Sequence, residues 1–357
     1  ILFICVIISI ITSYELVTKP IQNFHFIIPV TINFLEILIC SSVLVYISKK
    51  EDPTTNSRQI FLLIGLLLIA QILKINFKTI SPLSIIVTPT LIISQGMSTI
   101  TALSWVSIAL INWPNSVYGM NEYLLLITFI SSCIVAILGG KIRSRAQLLQ
   151  VSIFVPLGAF IGQYLLLGIN NNDLYNFNIQ NLISKQGNII SDSFLLATLM
   201  LLAIIFMPIL ESIFGLVTKA RLLELADQEK PLLRRLSIEA PGTFEHTLLL
   251  CGLAEEATRM IGGNVDLVRA GALYHDIGKL HAPNWFIENQ NGKKNPHDEL
   301  DNPLESAKIL QDHVDKGIQI AKRYRLPTPV TNFIPEHQGT LKMGYFLFKA
   351  KEKDKNI

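Results

Sequence analysis

Residues 79–121 read TISPLSIIVTPTLIISQGMSTITALSWVSIALINWPNSVYGMN, with no charged residue between Lys78 and Glu122. A bilayer's hydrocarbon core, about 30 Å thick, takes about 20 apolar residues at a helical rise of about 1.5 Å. The stretch is therefore long enough for two passes, with Gln95-Gly96 as the natural turn. Single spans are expected on either side of it, near 26–47, 59–76, 122–140, 147–168 and 193–217. The two most basic short loops carry Lys49, Lys50 and Arg58, and Lys141, Arg143 and Arg145. Both belong on the cytoplasmic side by the positive-inside rule, and they share a side only if 79–121 crosses twice. Seven spans follow, preceded by the apolar run Ile1–Ile11, read as the remnant of an earlier one. The loop Asn170–Asp192 then lies outside, and the last span delivers the chain to the cytoplasm near Val217.

Composition divides the chain at the same place. Residues 1–217 hold 18 of the 57 Asp, Glu, Lys and Arg, and the remainder of the chain holds the other 39. Half of all residues are hydrophobic and 16% are charged, against about a quarter in soluble domains. A fully soluble enzyme, a secreted disulfide scaffold and a disordered tail are excluded. A net charge of +3, spread over both parts, offers no groove for a nucleic-acid polymer. The four cysteines show no CxxC spacing, so no disulfide is expected. Glu36, a carboxyl inside an apolar run, reads as protonated or bonded to a neighbouring helix before it reads as part of an ion pathway.

From Lys219 the pattern turns amphipathic, with leucines among charges in KARLLELADQEKPLLRRL and Pro231 breaking the run. This segment, 218–240, reads as a coupling helix into an all-helical domain over 241–357. Six of the seven histidines fall in the last 112 residues. His275-Asp276 follows the apolar helical stretch VDLVRAGALY, so both side chains can reach one site near a helix end. A lone HD pair is weak, but His246, His313 and His337 lie on separate helical or turn segments around it. Imidazole offers a neutral nitrogen, and a carboxylate can bridge two cations, as a two-metal phosphohydrolase requires. His281 and His297 read as loop-ordering residues, and Asn289, Gln290 and Asn295 as ordering the same loop.

APGTFEHT, YHDIGK, WFIENQ, NPHD, the HVDKG segment and EHQGT, in this order, resemble the seven-transmembrane HD-domain phosphohydrolases of the PgpH type, over roughly Glu211 to Phe348. The resemblance implies an all-α architecture, a membrane domain over 1–217 and a cytoplasmic HD domain in the bacterial inner (plasma) membrane. It implies hydrolysis of cyclic di-AMP to pApA with two divalent transition-metal ions, Fe or Mn. Carried over residue by residue, His246, His275 and Asp276 would hold one metal, and Asp276, His313 and His337 the other. Lys279 would face a substrate phosphate. Two such cations supply Lewis acidity and an activated water, so no protein nucleophile is needed. The expected partners are a cyclic dinucleotide and the lipid bilayer, with homo-oligomerisation left open.

The chain departs from this pattern where the family reads His-His and it has His337-Gln338. A glutamine amide can donate to a phosphate oxygen but cannot replace an imidazole ligand. A further downstream Asp ligand and an extracellular sensory domain have no counterpart, which implies a chain cut short at both ends. The rival reading is therefore a degenerate HD-domain receptor or scaffold that binds without turnover. A transporter has only Glu36 behind it. Cyclic di-GMP is the chief rival substrate, but no GYP signature follows the HD motif.

Overall fold

A computed structural model describes residues 27–53, 55–76, 81–111, 113, 122–171, 187–290, 292, 294–339 and 342–353. Among these the chain is helical, with no strand. The Ile1–Ile11 run, most of the 170–192 loop and the Glu36 side chain lie outside the described residues. The chain forms two compact units, Ile1–Thr218 and Lys219–Ile357.

The first unit holds seven helices among the described residues: α1 (Ile27–Glu51), α2 (Ser57–Asn76), α3 (Pro82–Gly96), α4 (Thr99–Ile111), α5 (Glu122–Gly139), α6 (Arg145–Asn171) and α7 (Gly187–Phe214). Helices α6 and α7 contain apolar spans of 22 and 26 residues, long enough to cross a bilayer by length and composition. The uncharged stretch does fold as two helices turning after Gln95-Gly96, but they are shorter than two full passes. Their 15 and 13 residues rise about 22 and 20 Å.

The reason lies in packing. Helix α3 is apolar or small on every face and is buried nearly all round, so it sits inside the bundle, where protein rather than lipid covers its ends. Pro82 opens it at a position that needs no N–H. At its other end Gln95 Nε2 donates to the Gly139 carbonyl at 2.8 Å, which brings the C-termini of α3 and α5 together. Gln59 Nε2, at the start of α2, donates to Gly215 O at 3.1 Å, just past the end of α7. Gly96 in turn lies against Leu216. The loops carrying Lys49, Lys50 and Arg58 and Lys141, Arg143 and Arg145 thus lie at one end of this bundle, the end where the chain leaves it.

The second unit begins with two short helices, α8 (Lys219–Leu225) and α9 (Pro231–Glu239), rather than one. Pro231 has no N–H and steers the residue before it out of helical geometry; Lys230 accordingly sits at φ −59°, ψ 137°. Buried Leu222, Leu225, Leu232, Leu233 and Leu236 pack both helices onto this unit. Then come α10 (Pro241–Met260), α11 (Val265–Tyr274), three 3₁₀ turns (Ile277–His281, Pro283–Trp285, Ile287–Asn289), α12 (Pro296–Leu300), α13 (Pro303–Arg323), α14 (Thr328–Thr331), α15 (Phe333–Gln338) and α16 (Gly344–Lys353). Asn264, Asn295 and Asn302 cap α11, α12 and α13, each accepting from a backbone N–H of the first turn.

Candidate metal centre

Four elements deliver the site. His246 comes from the second turn of α10, His313 from the middle of α13 and His337 from the end of α15. His275 ends α11 with helical angles (φ −59°, ψ −33°), and Asp276 leaves the helix at φ −107°, ψ 14°. That change of direction turns two adjacent side chains onto one point. His275, Asp276 and His313 are buried, and His246 is exposed at the cavity mouth.

A close backbone approach sets the geometry. A Cβ on Gly278 would stand 1.7 Å from the His313 carbonyl oxygen and 2.7 Å from Gly317 N. Only glycine lets the turn after Asp276 press onto α13, which is what brings His313 to the carboxylate. A Cβ on Gly242 would likewise stand 1.9 Å from Glu288 O, so this glycine admits the 286–290 loop against the start of α10.

The hydrogen bonds fix the imidazole tautomers. Nδ1 of His275 lies 2.7 Å from Ala272 O, that of His313 lies against Leu310 O, and that of His337 is 2.6 Å from Ile334 O. Carbonyl oxygens only accept, so each Nδ1 carries the hydrogen and each neutral ring turns the lone pair of Nε2 into the site. These lone pairs face another acceptor. His275 Nε2 lies 3.2 Å from Asp276 Oδ2, and His337 and His313 Nε2 lie 3.4 and 3.7 Å from Oδ1. The Nε2 atoms of His313 and His337 are 3.1 Å apart. Asp276 Oδ1 is buried with no hydrogen bond. Acceptors converging on acceptors need a cation or an added proton between them, and a nitrogen and carboxylate donor set suits a transition metal.

Two groups of donors meet this description: His246, His275 and Asp276, and Asp276, His313 and His337, each with its donor atoms within 4.8 Å of one another. Asp276 belongs to both. His281 and His297 stay outside them. His281 Nδ1 bonds to Gly278 O at 2.7 Å and His297 Nε2 to Trp285 O at 2.9 Å, which are loop-ordering contacts.

Burial alone would raise the Asp276 carboxyl, but His275 and His337, which donate to it when a proton takes the cation's place on Nε2, and the Lys279 ammonium hold it far below the usual carboxylate range. Burial pushes His313 down; it acts the same way on His337, but Asp276 outweighs it and His337 is raised.

Lys279 lies 2.8 Å from both Asp276 Oδ2 and Glu288 Oε1. Burial would lower its pKa, and the two carboxylates raise it instead. Glu288 also accepts from Thr243 Oγ1 at 3.0 Å, while Asn289 Oδ1 accepts from Thr243 N at 3.1 Å. The sequence singled out Asn289 but gave Glu288 no role. The only signal for it is a carboxylate in the WFIENQ run, and no spacing rule links that run to Lys279. Asn295 bonds Gln290 and the His297 N–H, which orders the loop in the expected way.

Beside the donors lies a cavity of about 440 Å³. Its polar lining is His246, His275, Asp276, Lys279, His313, His337 and Gln338, and Leu250, Ala254, Val268, Ala272 and Phe333 form its apolar wall. Such a pairing suits a ligand with an anionic part and a flat apolar part.

Two family models match the chain: "7TM receptor with intracellular HD hydrolase" over residues 27–218 and "HD domain" over 243–356. The cyclic-di-AMP phosphodiesterase PgpH of Bacillus subtilis is 35% identical over 242 residues, 68% of this chain and 33% of that protein. PgpH of Listeria monocytogenes is 43% identical over 150 residues, 42% of this chain and 21% of that protein. An uncharacterized Synechocystis protein is 54% identical over 145 residues, 41% of this chain and 18% of that one. The crystal structure of the Listeria PgpH HD domain in complex with cyclic-di-AMP is 40% identical, with a TM-score of 0.35, and the match covers 37% of this chain and 61% of that one. The chain thus spans about a fifth to a third of the length of the curated relatives it matches. With a helical bundle over 27–218 and a His/Asp donor cluster in the helical unit that follows, the chain belongs to the family of seven-transmembrane receptors with an intracellular HD hydrolase domain.

Proposed function

We propose that the chain is a membrane-anchored, metal-dependent phosphodiesterase that opens cyclic di-AMP to pApA, with its HD domain, 241–357, on the cytoplasmic side. The observation that carries this reading is the convergence of three imidazole lone pairs on the Asp276 carboxylate beside a cavity with one apolar wall. The activity named for the two PgpH relatives supports the substrate. His246, His275 and Asp276 would hold one divalent cation and Asp276, His313 and His337 a second, Fe or Mn by ligand type. When bound, such a pair supplies Lewis acidity at the phosphodiester and an activated water.

The chain's own residues do the rest. Lys279 spends two of its three hydrogens on Asp276 and Glu288, which leaves one for a phosphate oxygen. Glu288, held by Thr243, fixes that ammonium at the cavity wall. The Gln338 amide stands on the same wall and donates to phosphate, while Phe333 and Leu250 offer the surface for a base. Asp276 and Lys279 are the catalytic pair of this proposal.

Gln338 also favours a second reading, a receptor that binds nucleotide without turnover. Single-turnover assays with purified full chain, Mn²⁺ and labelled cyclic di-AMP separate the two. Release of pApA supports the enzyme; binding without cleavage at full metal content supports the receptor. Gln338→His is expected to raise the rate with little change in Kd, because a contact made mainly in the transition state affects rate more than affinity.

A further inference from the structure

One cavity of the membrane unit has no part in the chemistry above. It is a groove of about 620 Å³ between α5 and α6, more than the space beside the metal donors. Its lining runs along α6 from Gln147 to Leu166, about 28 Å at the helical rise, close to the thickness of a hydrocarbon core. Missing side chains create it. A Cβ built on Gly158 meets nothing within 4 Å, and one on Gly162 meets only the tip of Ile127 at 3.8 Å. Phe154 and the α5 isoleucines form the walls.

Polarity in this groove is graded along its length. Lys141, Gln147 and Gln150 line one end, and apart from Ser131 the rest is apolar or glycine. Lys141 is exposed and makes no ion pair among the described residues. Arg143 and Arg145 follow in the same turn, and no Asp or Glu occurs between Glu122 and Asp173. A void of this size facing hydrocarbon loses dispersion contacts along its whole wall unless something chain-like fills it.

We propose that the α5–α6 groove binds one anionic phospholipid, with an acyl chain lying over Gly158 and Gly162 and the phosphate at Lys141. Apolar lining selects the chain, and the cationic end selects the headgroup. Basic residues at a membrane surface favour anionic over zwitterionic lipid by roughly fivefold each. This site is independent of the catalytic reading.

The test uses full chain reconstituted in vesicles of equal phosphatidylglycerol and phosphatidylcholine, extracted and weighed by native mass spectrometry. One phosphatidylglycerol per chain is expected to be retained, at a preference of roughly fivefold or more. Lys141→Glu, on an exposed turn, should cut the preference by roughly fivefold or more. Gly158→Trp should expel the lipid altogether, whereas Ile153→Trp, on an exposed position outside the groove, should leave retention unchanged. Retention without headgroup preference, or a preference unchanged by Lys141→Glu, overturns the proposal. So does a disulfide between Cys5 and a Phe154→Cys variant, since the chain's own apolar run would then fill the groove.

Discussion

Asp276 serves both donor groups, and its consequences can be separated from those of nearby histidines. Asp276→Ala should remove both metals and all hydrolysis, while His297→Ala, which loses only a bond to Trp285 O and ring contacts, should keep the metal. Metal content by inductively coupled plasma mass spectrometry checks the contrast; equal losses would show that the loop histidine was misread. Glu288→Gln leaves the donors in place but loosens Lys279, so kcat/KM should fall by about 10–100-fold at unchanged metal content. Metal uptake should also weaken as pH falls. Each Nε2 must be free of its proton to bind, so protonation of His337, whose pKa is raised, competes with the cation and uptake releases a proton. Isothermal titration in two buffers of different ionisation enthalpy reads that release. The candidate donors, the histidines and Asp276, were legible because such a cluster of side chains is rare in sequence. Glu288 was not, because its role depends on a loop folding back across 45 residues to Thr243.

At the scale of elements, the 277–281 turn on α13 is the joint that makes the site. Gly278→Ala drives a methyl into the His313 carbonyl, a backbone atom that cannot swing away. The turn must lift, at a cost of about 1–3 kcal/mol in stability, and His313 moves off Asp276. Chemical denaturation and metal content of the variant should fall together; a fully stable variant with both metals would refute the joint. The glycine was visible in YHDIGK, but what it touches was not, since nothing in the string points to α13. Pro231 was better placed for reading, because the break it makes is local to the backbone and depends on no distant partner. For the uncharged 79–121 stretch, the turn at Gln95-Gly96 and the two helices follow from sequence. Their shortness does not, because burial of α3 by α5 and α7 is tertiary information.

For the molecule as a whole, the bundle places both basic loops at the end where the chain departs toward the HD unit, which fits a cytoplasmic catalytic domain under the positive-inside rule. External labelling of whole cells should reach a cysteine introduced within Asn170–Asp192 and miss one introduced at Arg143; the reverse pattern would invert the topology. The change from apolar to charged composition falls beside the division between the two compact units. Everything proposed for the HD domain depends on the shared Asp276 carboxylate. Purified chain, stripped with chelator and reloaded with Mn²⁺, should take up two ions and convert cyclic di-AMP to pApA, and Asp276→Ala should do neither. Turnover that persists without metal, or in Asp276→Ala, would contradict it.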